Sequence, residues 1–240
     1  MKDWAIRSER DMESEMQALN GLAYTTGFFL GDGCLTSYPF KSPKNGKTYH
    51  KNDVSFGKPD YEVIERVRDQ IGEVFGKKYA IIHRKLPSGL PYYEMTAHRR
   101  DIFDFFAVNT KMKSEVPAHY HQAPEDARIE LLCGLFDSDG HVSEFADGAT
   151  KRWQVGFSNT KRGLVESVAA MMQRIGVKVG KISEMEKAGY RICYGVKPNA
   201  RSFVECGLHF YSRRRQEKLD RYVSHVLGSE TAYTGAATTV

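Results

Sequence analysis

The order of elements over about the first hundred residues is repeated over the next hundred, and a duplicated chain has few folds open to it. In the first half the patterning predicts a helix at 18–31 and a short strand at 34–38, then a long basic connection, TSYPFKSPKNGKTYHK. A strand around Val54-Ser55-Phe56, a helix over 61–75, strands at 78–85 and 91–97, and a short helix, RRDIFDFFA, follow. Ile64, Val67, Ile71, Val74 and Phe75 form an apolar stripe at helical spacing. The second half gives helix 125–137, strands 141–145 and 153–157, helix 161–175, strands 177–184 and 189–195, and helix 199–206. It then adds a basic helix, RRRQEKLDRYVSHVL. Landmarks pair across the halves: Asp32 with Asp139, Phe56 with Phe157, Ile71-Gly72 with Ile175-Gly176, Phe103 with Phe203. The expected fold class is α+β, two pseudo-symmetric αββαββα repeats. The first occupies 1–113 with its N-terminal extension and the second 125–228; 114–124 is the linker and 229–240 a flexible tail.

Both repeats end their first helix in the same odd way. Residues 131–140, LLCGLFDSDG, run from apolar into paired acids, and TTGFFLGDG at 25–33 does the same. An acid at a helix C-terminus faces the negative end of the macrodipole, so the feature calls for a reason. Gly27 and Gly31 lie four apart on one helix face, as do Gly134 and Ser138. Small residues at that spacing let two backbones approach closely. If the helices pack along these faces, Asp32 and Asp139 arrive side by side, which is electrostatically poor without a cation between them. Hard oxygen ligands with room for water suit Mg²⁺, and divalent-metal phosphodiester chemistry is commonly built in this way. Simple capping, with Gly33 and Gly140 left-handed, accounts for the glycines and leaves the acids unexplained. A calcium loop fails because Val142 stands where its sixth-position glycine belongs. A phosphate-binding glycine loop fails because no Lys-Ser or Lys-Thr follows GFFLGDG.

Composition sets the partner class. The chain of 240 residues carries a formal charge of +5, and its pI of about 8.9 favours a polyanionic partner. No apolar run approaches the ~18 residues of a membrane span, and the N-terminal stretch is too polar for a signal peptide. Cys34, Cys133, Cys193 and Cys206 lack CxxC spacing, so they read as buried thiols of an intracellular, reducing compartment.

The paired segments resemble the motifs of the LAGLIDADG homing endonucleases, of the single-chain, two-motif type. TTGFFLGDG departs clearly from the family pattern and LCGLFDSDG is close to it. The resemblance covers nearly the whole chain, because the element order is also the family's. It implies two saddle-shaped antiparallel sheets lying along the DNA major groove, joined at a motif-helix interface. It also implies metals held by Asp32 and Asp139, with Gly31 and Ser138 counted beside them in the metal site. A lysine after the last helix of each half would assist. Lys113, in KMKSEVP, fits; the corresponding position in the second half is Arg213.

Several basic side chains punctuate the strands and turns, and these can contact phosphates and base edges. The DNA-binding candidates are His83, Arg84, Lys85, Lys151, Arg152, Lys181 and Arg191, with the lysine loop Lys41, Lys44, Lys47 and Lys51 as the backbone grip. The matching second-half loop carries Glu144 and Asp147, so an asymmetric target of roughly two helical turns is expected. The resulting reading is a monomeric, two-metal, Mg²⁺-dependent endonuclease cutting both strands of a long double-stranded DNA site. Mn²⁺ is expected to substitute, Ca²⁺ to support binding only, and neither membrane nor small-molecule substrate is expected. The rivals are an RNA maturase or a decayed DNA-binding protein on the same scaffold, and an endonuclease domain within an intein. Met1 and the terminal Thr-Thr-Val favour a free-standing enzyme over the last.

Overall fold

A computed structural model of the chain describes residues 9–110, 113–147, 150–187 and 191–235. Helices α1 (Glu9–Gly21) and α2 (Ala23–Asp32) lead into strands β1 (Cys34–Lys41) and β2 (Thr48–Lys58). Helix α3 (Tyr61–Phe75), strands β3 (Ile81–Lys85) and β4 (Pro91–Ala97), and helix α4 (Arg100–Asn109) complete the first repeat. After a short 3-10 turn at Ala118–His121, the second repeat runs α5 (Glu125–Asp139), β5 (Gly140–Asp147), β6 (Thr150–Asn159) and α6 (Arg162–Arg174). It continues with β7 (Ser183–Lys187), β8 (Arg191–Val196), α7 (Ala200–Glu205) and α8 (Arg213–Gly235). Each repeat forms one antiparallel four-stranded sheet, ordered β1-β2-β4-β3 and β5-β6-β8-β7.

The duplication extends to register. Phe56 pairs with Met95 and Phe157 with Val196, while Lys58 pairs with Tyr93 and Asn159 with Tyr194. Aromatic cores repeat as well: Phe29 stacks on Phe106 at 4.7 Å, and Phe136 meets Phe203 edge-on at 4.8 Å. The core counterpart of Phe203 is therefore Phe106. Phe103 shares only its position in the helix and is half-buried. The pairing of Ile71-Gly72 with Ile175-Gly176 is likewise corrected. Gly72 lies inside α3, and the left-handed glycine that follows α3, as Gly176 follows α6, is Gly76.

Three further expectations change. One helix at 18–31 becomes two, parted at Leu22, which leaves α2 buried along Ala23–Leu30. The basic connection is largely a β-ribbon: β1 and β2 pair from Cys34–Ser55 out to Lys41–Thr48, closed by a turn with Gly46 at φ +65°. Pro39 argues against a central strand but sits harmlessly here, because β1 is the sheet edge. At the other end α8 continues to Gly235, so residues 229–235 extend a helix, and 236–240 lie outside the described residues. Cys133 and Cys193 are buried as expected, whereas Cys34 is exposed and Cys206 half-buried.

Candidate active site between the motif helices

Helices α2 and α5 cross with their backbones in contact. A Cβ on Gly27 would lie 2.0 Å from the carbonyl oxygen of Leu131, and one on Gly134 would lie 2.0 Å from that of Tyr24. At the C-terminal end the approach persists, since a Cβ on Gly31 would stand 2.2 Å from Ser138 Oγ and 2.8 Å from Asp139 Oδ2. The small-residue spacing therefore does what steric reasoning requires of it, and Asp32 and Asp139 leave the seam together. Gly33 and Gly140 end their helices in extended backbone (φ −68° and −81°), each N–H bonded to Phe29 O and Phe136 O respectively. They are not left-handed caps. Glycine is needed because a Cβ would meet the Phe29 ring at 2.1 Å or Phe136 O at 2.4 Å.

The two acids differ in setting. Asp32 is the more exposed and its Oδ2 accepts a hydrogen bond from the Lys58 ammonium, which also donates to Ser138 O at 2.7 Å. Asp139 Oδ2 accepts from Asn159 Nδ2 at 2.7 Å. Burial pushes the Asp139 carboxyl above the usual carboxylate range; Asn159 acts in the opposite direction and nearby Asp32 raises it further. Lys113 donates to Gly31 O at 3.4 Å and to Gly33 O, and its ammonium lies 4.6 Å over the Phe29 ring. Burial draws the Lys113 ammonium below the ordinary lysine range, against the pull of Asp32. Its backbone is left-handed at φ 61°, unlike that of any other described non-glycine residue, and strain of this kind collects at functional sites.

Asp137 belongs elsewhere. Its Oδ2 accepts from Tyr24 Oη of the facing repeat and from the Tyr211 amide, both at 2.8 Å, and its Oδ1 from the Ser212 amide at 3.2 Å. It is fully buried, which lifts its carboxyl to about 6 despite those three donors. Arg213 is not the second-half equivalent of Lys113 in space: its side chain is exposed and its amide donates to Glu62 Oε1 at 2.7 Å. Arg215 instead caps α5, donating to Phe136 O at 3.0 Å and Asp137 O at 2.8 Å. Lys58 and Asn159 were not singled out from the sequence. The offset that pairs Phe56 with Phe157 also pairs these two, and that was the available signal.

The residues around the acids fit an oxygen-liganded divalent cation. Beside the Asp139 carboxylate, the Asp32 carboxylate and the carbonyls of Gly31 and Ser138 already gather two ammonium groups. Among the described residues no group of three or more His, Cys, Asp or Glu side chains comes together, so such a cation would complete its shell with backbone, water and substrate oxygens.

The remaining candidates scatter over the sheets. Lys41, Lys44, Lys47 and Lys51 are exposed on the β1–β2 ribbon, with Lys51 4.1 Å over the Phe40 ring. Arg84 pairs with Glu94 at 3.3 Å on the open face of the first sheet. His83 stacks on Tyr93 at 5.0 Å, on the side that carries Met95 into the core, and by alternation Lys85 shares that side. Lys181 is exposed before β7. Lys151, Arg152 and Arg191 lie on β6 and β8, but their side chains fall outside the described residues. Beside Asp139 the second sheet holds a cleft of about 690 Å³, lined among others by His141, Gln154, Ser183 and Met185.

Residues 126–226 match the LAGLIDADG-like domain family. Among solved structures, I-DmoI in complex with DNA and Mn is 18% identical with a TM-score of 0.54, over 78% of this chain and 94% of that one. The I-LtrWI LAGLIDADG homing endonuclease bound to target DNA is 14% identical with a TM-score of 0.53, over 91% and 92%. A curated relative, the ATP-dependent DNA helicase Hel308 of Methanocaldococcus jannaschii, is 26% identical over 171 residues, 70% of this chain. The match spans only 12% of that helicase's length. The second repeat is thus a LAGLIDADG-like domain, and the chain as a whole has the fold of the LAGLIDADG homing endonucleases.

Proposed function

We propose that the protein is a site-specific DNA endonuclease, hydrolysing both strands of a long, asymmetric duplex with divalent metal, Mg²⁺ foremost. The observation that carries this reading is the seam: two glycine-lined helices deliver one acid each to a single cation-rich exit. Asp32 and Asp139, with the Gly31 and Ser138 carbonyls, would hold the metal, which when bound supplies Lewis-acid polarisation of a phosphate and activation of water. Asn159 orients the Asp139 carboxylate through its amide. Lys113, fixed by two backbone carbonyls, stands ready to offset charge on a phosphate oxygen. In the second half Arg215, which donates to Phe136 O and Asp137 O at the end of α5, is the cation proposed for the same task in place of Arg213. The pseudo-twofold within one chain supports duplex DNA as partner and action as a monomer, and free thiols suit a reducing compartment with access to DNA. Among the described residues no helix is long and apolar enough to cross a membrane.

The I-DmoI structures carry Mn, Mg or Ca with DNA, which favours the same metal set here: Mg²⁺ or Mn²⁺ for turnover and Ca²⁺ for binding alone. The match to a short stretch of a much longer helicase favours one further reading, a unit of this kind carried inside a larger polypeptide. The test of function is selection of cleaved sites from a random duplex library in Mg²⁺, followed by plasmid cleavage. Binding without cutting under every divalent metal would favour the decayed binding protein, and preference for RNA the maturase.

A further inference from the structure

The two halves of the site are alike in construction and unlike in charge. Lys58 and Asn159 occupy the same register, the last residue of the second strand of each sheet, and each reaches the acid of its own half. Asn159 gives Asp139 a neutral hydrogen bond and no ion pair, so the Lys58 and Lys113 ammoniums act on that carboxylate only through space. Lys58 gives Asp32 a full positive charge and at the same time binds Ser138 O on the opposite helix, so one ammonium spans both halves. Only 14% of its side chain is exposed, and its ammonium lies 5.9 Å from the Phe28 ring centroid, so it is packed in place. The oxygens it uses are ones an incoming divalent cation would need, and two cations cannot share them without strong repulsion.

We propose that Lys58 is a built-in counter-cation that a divalent ion must displace from Asp32, which makes the Asp32 half the weaker, later-filled metal site. This rests on the endonuclease reading above. A displaced ammonium, on its flexible four-carbon stem, would be free to pair with a phosphate oxygen.

The test is a Mn²⁺ titration of the full chain, with free Mn²⁺ followed by electron paramagnetic resonance. Lys58→Met and Lys58→Asn, the latter the residue of the other half, should each strengthen the weaker class of sites by about tenfold, within the usual range for coupled sites. The tighter class should stay within about twofold. Asn159→Lys should weaken the tighter class, and circular dichroism checks that each variant is folded. Folded Lys58 variants whose Mn²⁺ isotherm matches the wild type, whether that shows two classes, one or none, overturn the proposal. Failure of the endonuclease reading looks different: Asp32→Asn and Asp139→Asn would then bind Mn²⁺ just as the wild type does.

Discussion

Asp137 and Asp139 lie two residues apart in α5 and face different surroundings. Asp139 opens to the helix exit beside Asp32, whereas Asp137 ties Tyr24 of the first repeat to the Tyr211–Ser212 backbone of the second. Asp32→Asn and Asp139→Asn should each abolish double-strand cleavage in Mg²⁺ while a gel-shift in Ca²⁺ stays near wild type. Asp137→Asn should still cut, but its amide group would confront a donor, which costs about 1–3 kcal/mol and lowers the melting temperature. The reverse pattern, with Asp137→Asn inactive and Asp139→Asn active, would overturn the assignment. Asp137 also fixes a pH trend. Its carboxyl is raised in the folded state to about 6, so its favourable contribution is complete below the unfolded value near 4 and lost as pH rises through about 6. Measured against the folded Asn variant, wild-type stability should fall between those pH values by an amount on the order of a few kcal/mol. A flat difference across that window would mean the carboxylate is ionised throughout.

Between α2 and α5, the contact at Gly27 and Gly134 is backbone to backbone, so even a methyl group must push the helices apart. Gly27→Ala or Gly134→Ala should cost about 1–3 kcal/mol, lowering the melting temperature by about 2–4 °C per kcal/mol, read by differential scanning calorimetry. Unchanged melting for both would mean the seam relaxes freely. This element-level geometry was legible in the sequence because glycine spacing is a steric signal that survives divergence of the surrounding residues. The ribbon was less so: Pro39, Pro43 and the lysines suppress strand propensity, and only the strand's place at the sheet edge makes them harmless. The site was half legible. Asp32 and Asp139 sit on the motifs and Lys113 follows the last helix of its repeat, but Lys58 and Asn159 reach the site from strand ends whose direction only tertiary packing decides. Arg213 and Arg215 show the same limit, since a two-residue step along α8 separates an exposed side chain from one that caps α5.

Across the whole molecule the pseudo-twofold relates two surfaces of different chemistry. The open face of the first sheet carries the Arg84–Glu94 pair and Tyr92, and its ribbon ends in exposed lysines. Equivalent positions on the second sheet are Met185, Gly195 and Cys193, beside a cleft where His141 and Gln154 touch each other at 3.4 Å. A duplex lying across both sheets would meet charged groups and the lysine-tipped ribbon in the first half and, at the described positions just named, neutral groups in the second. Lys41, Lys44 and Lys47 cluster at the ribbon's tip, remote in register from the β2 end that supports Asp32, so they suit phosphate contact without base contact. Changing all three to Ala should weaken every duplex similarly and reduce the slope of log affinity against log salt by up to about three phosphate contacts. Fluorescence anisotropy over a salt series, on a target duplex and an unrelated one, reads both effects. If discrimination between the duplexes falls while the slope holds, the ribbon reads bases instead of gripping the backbone.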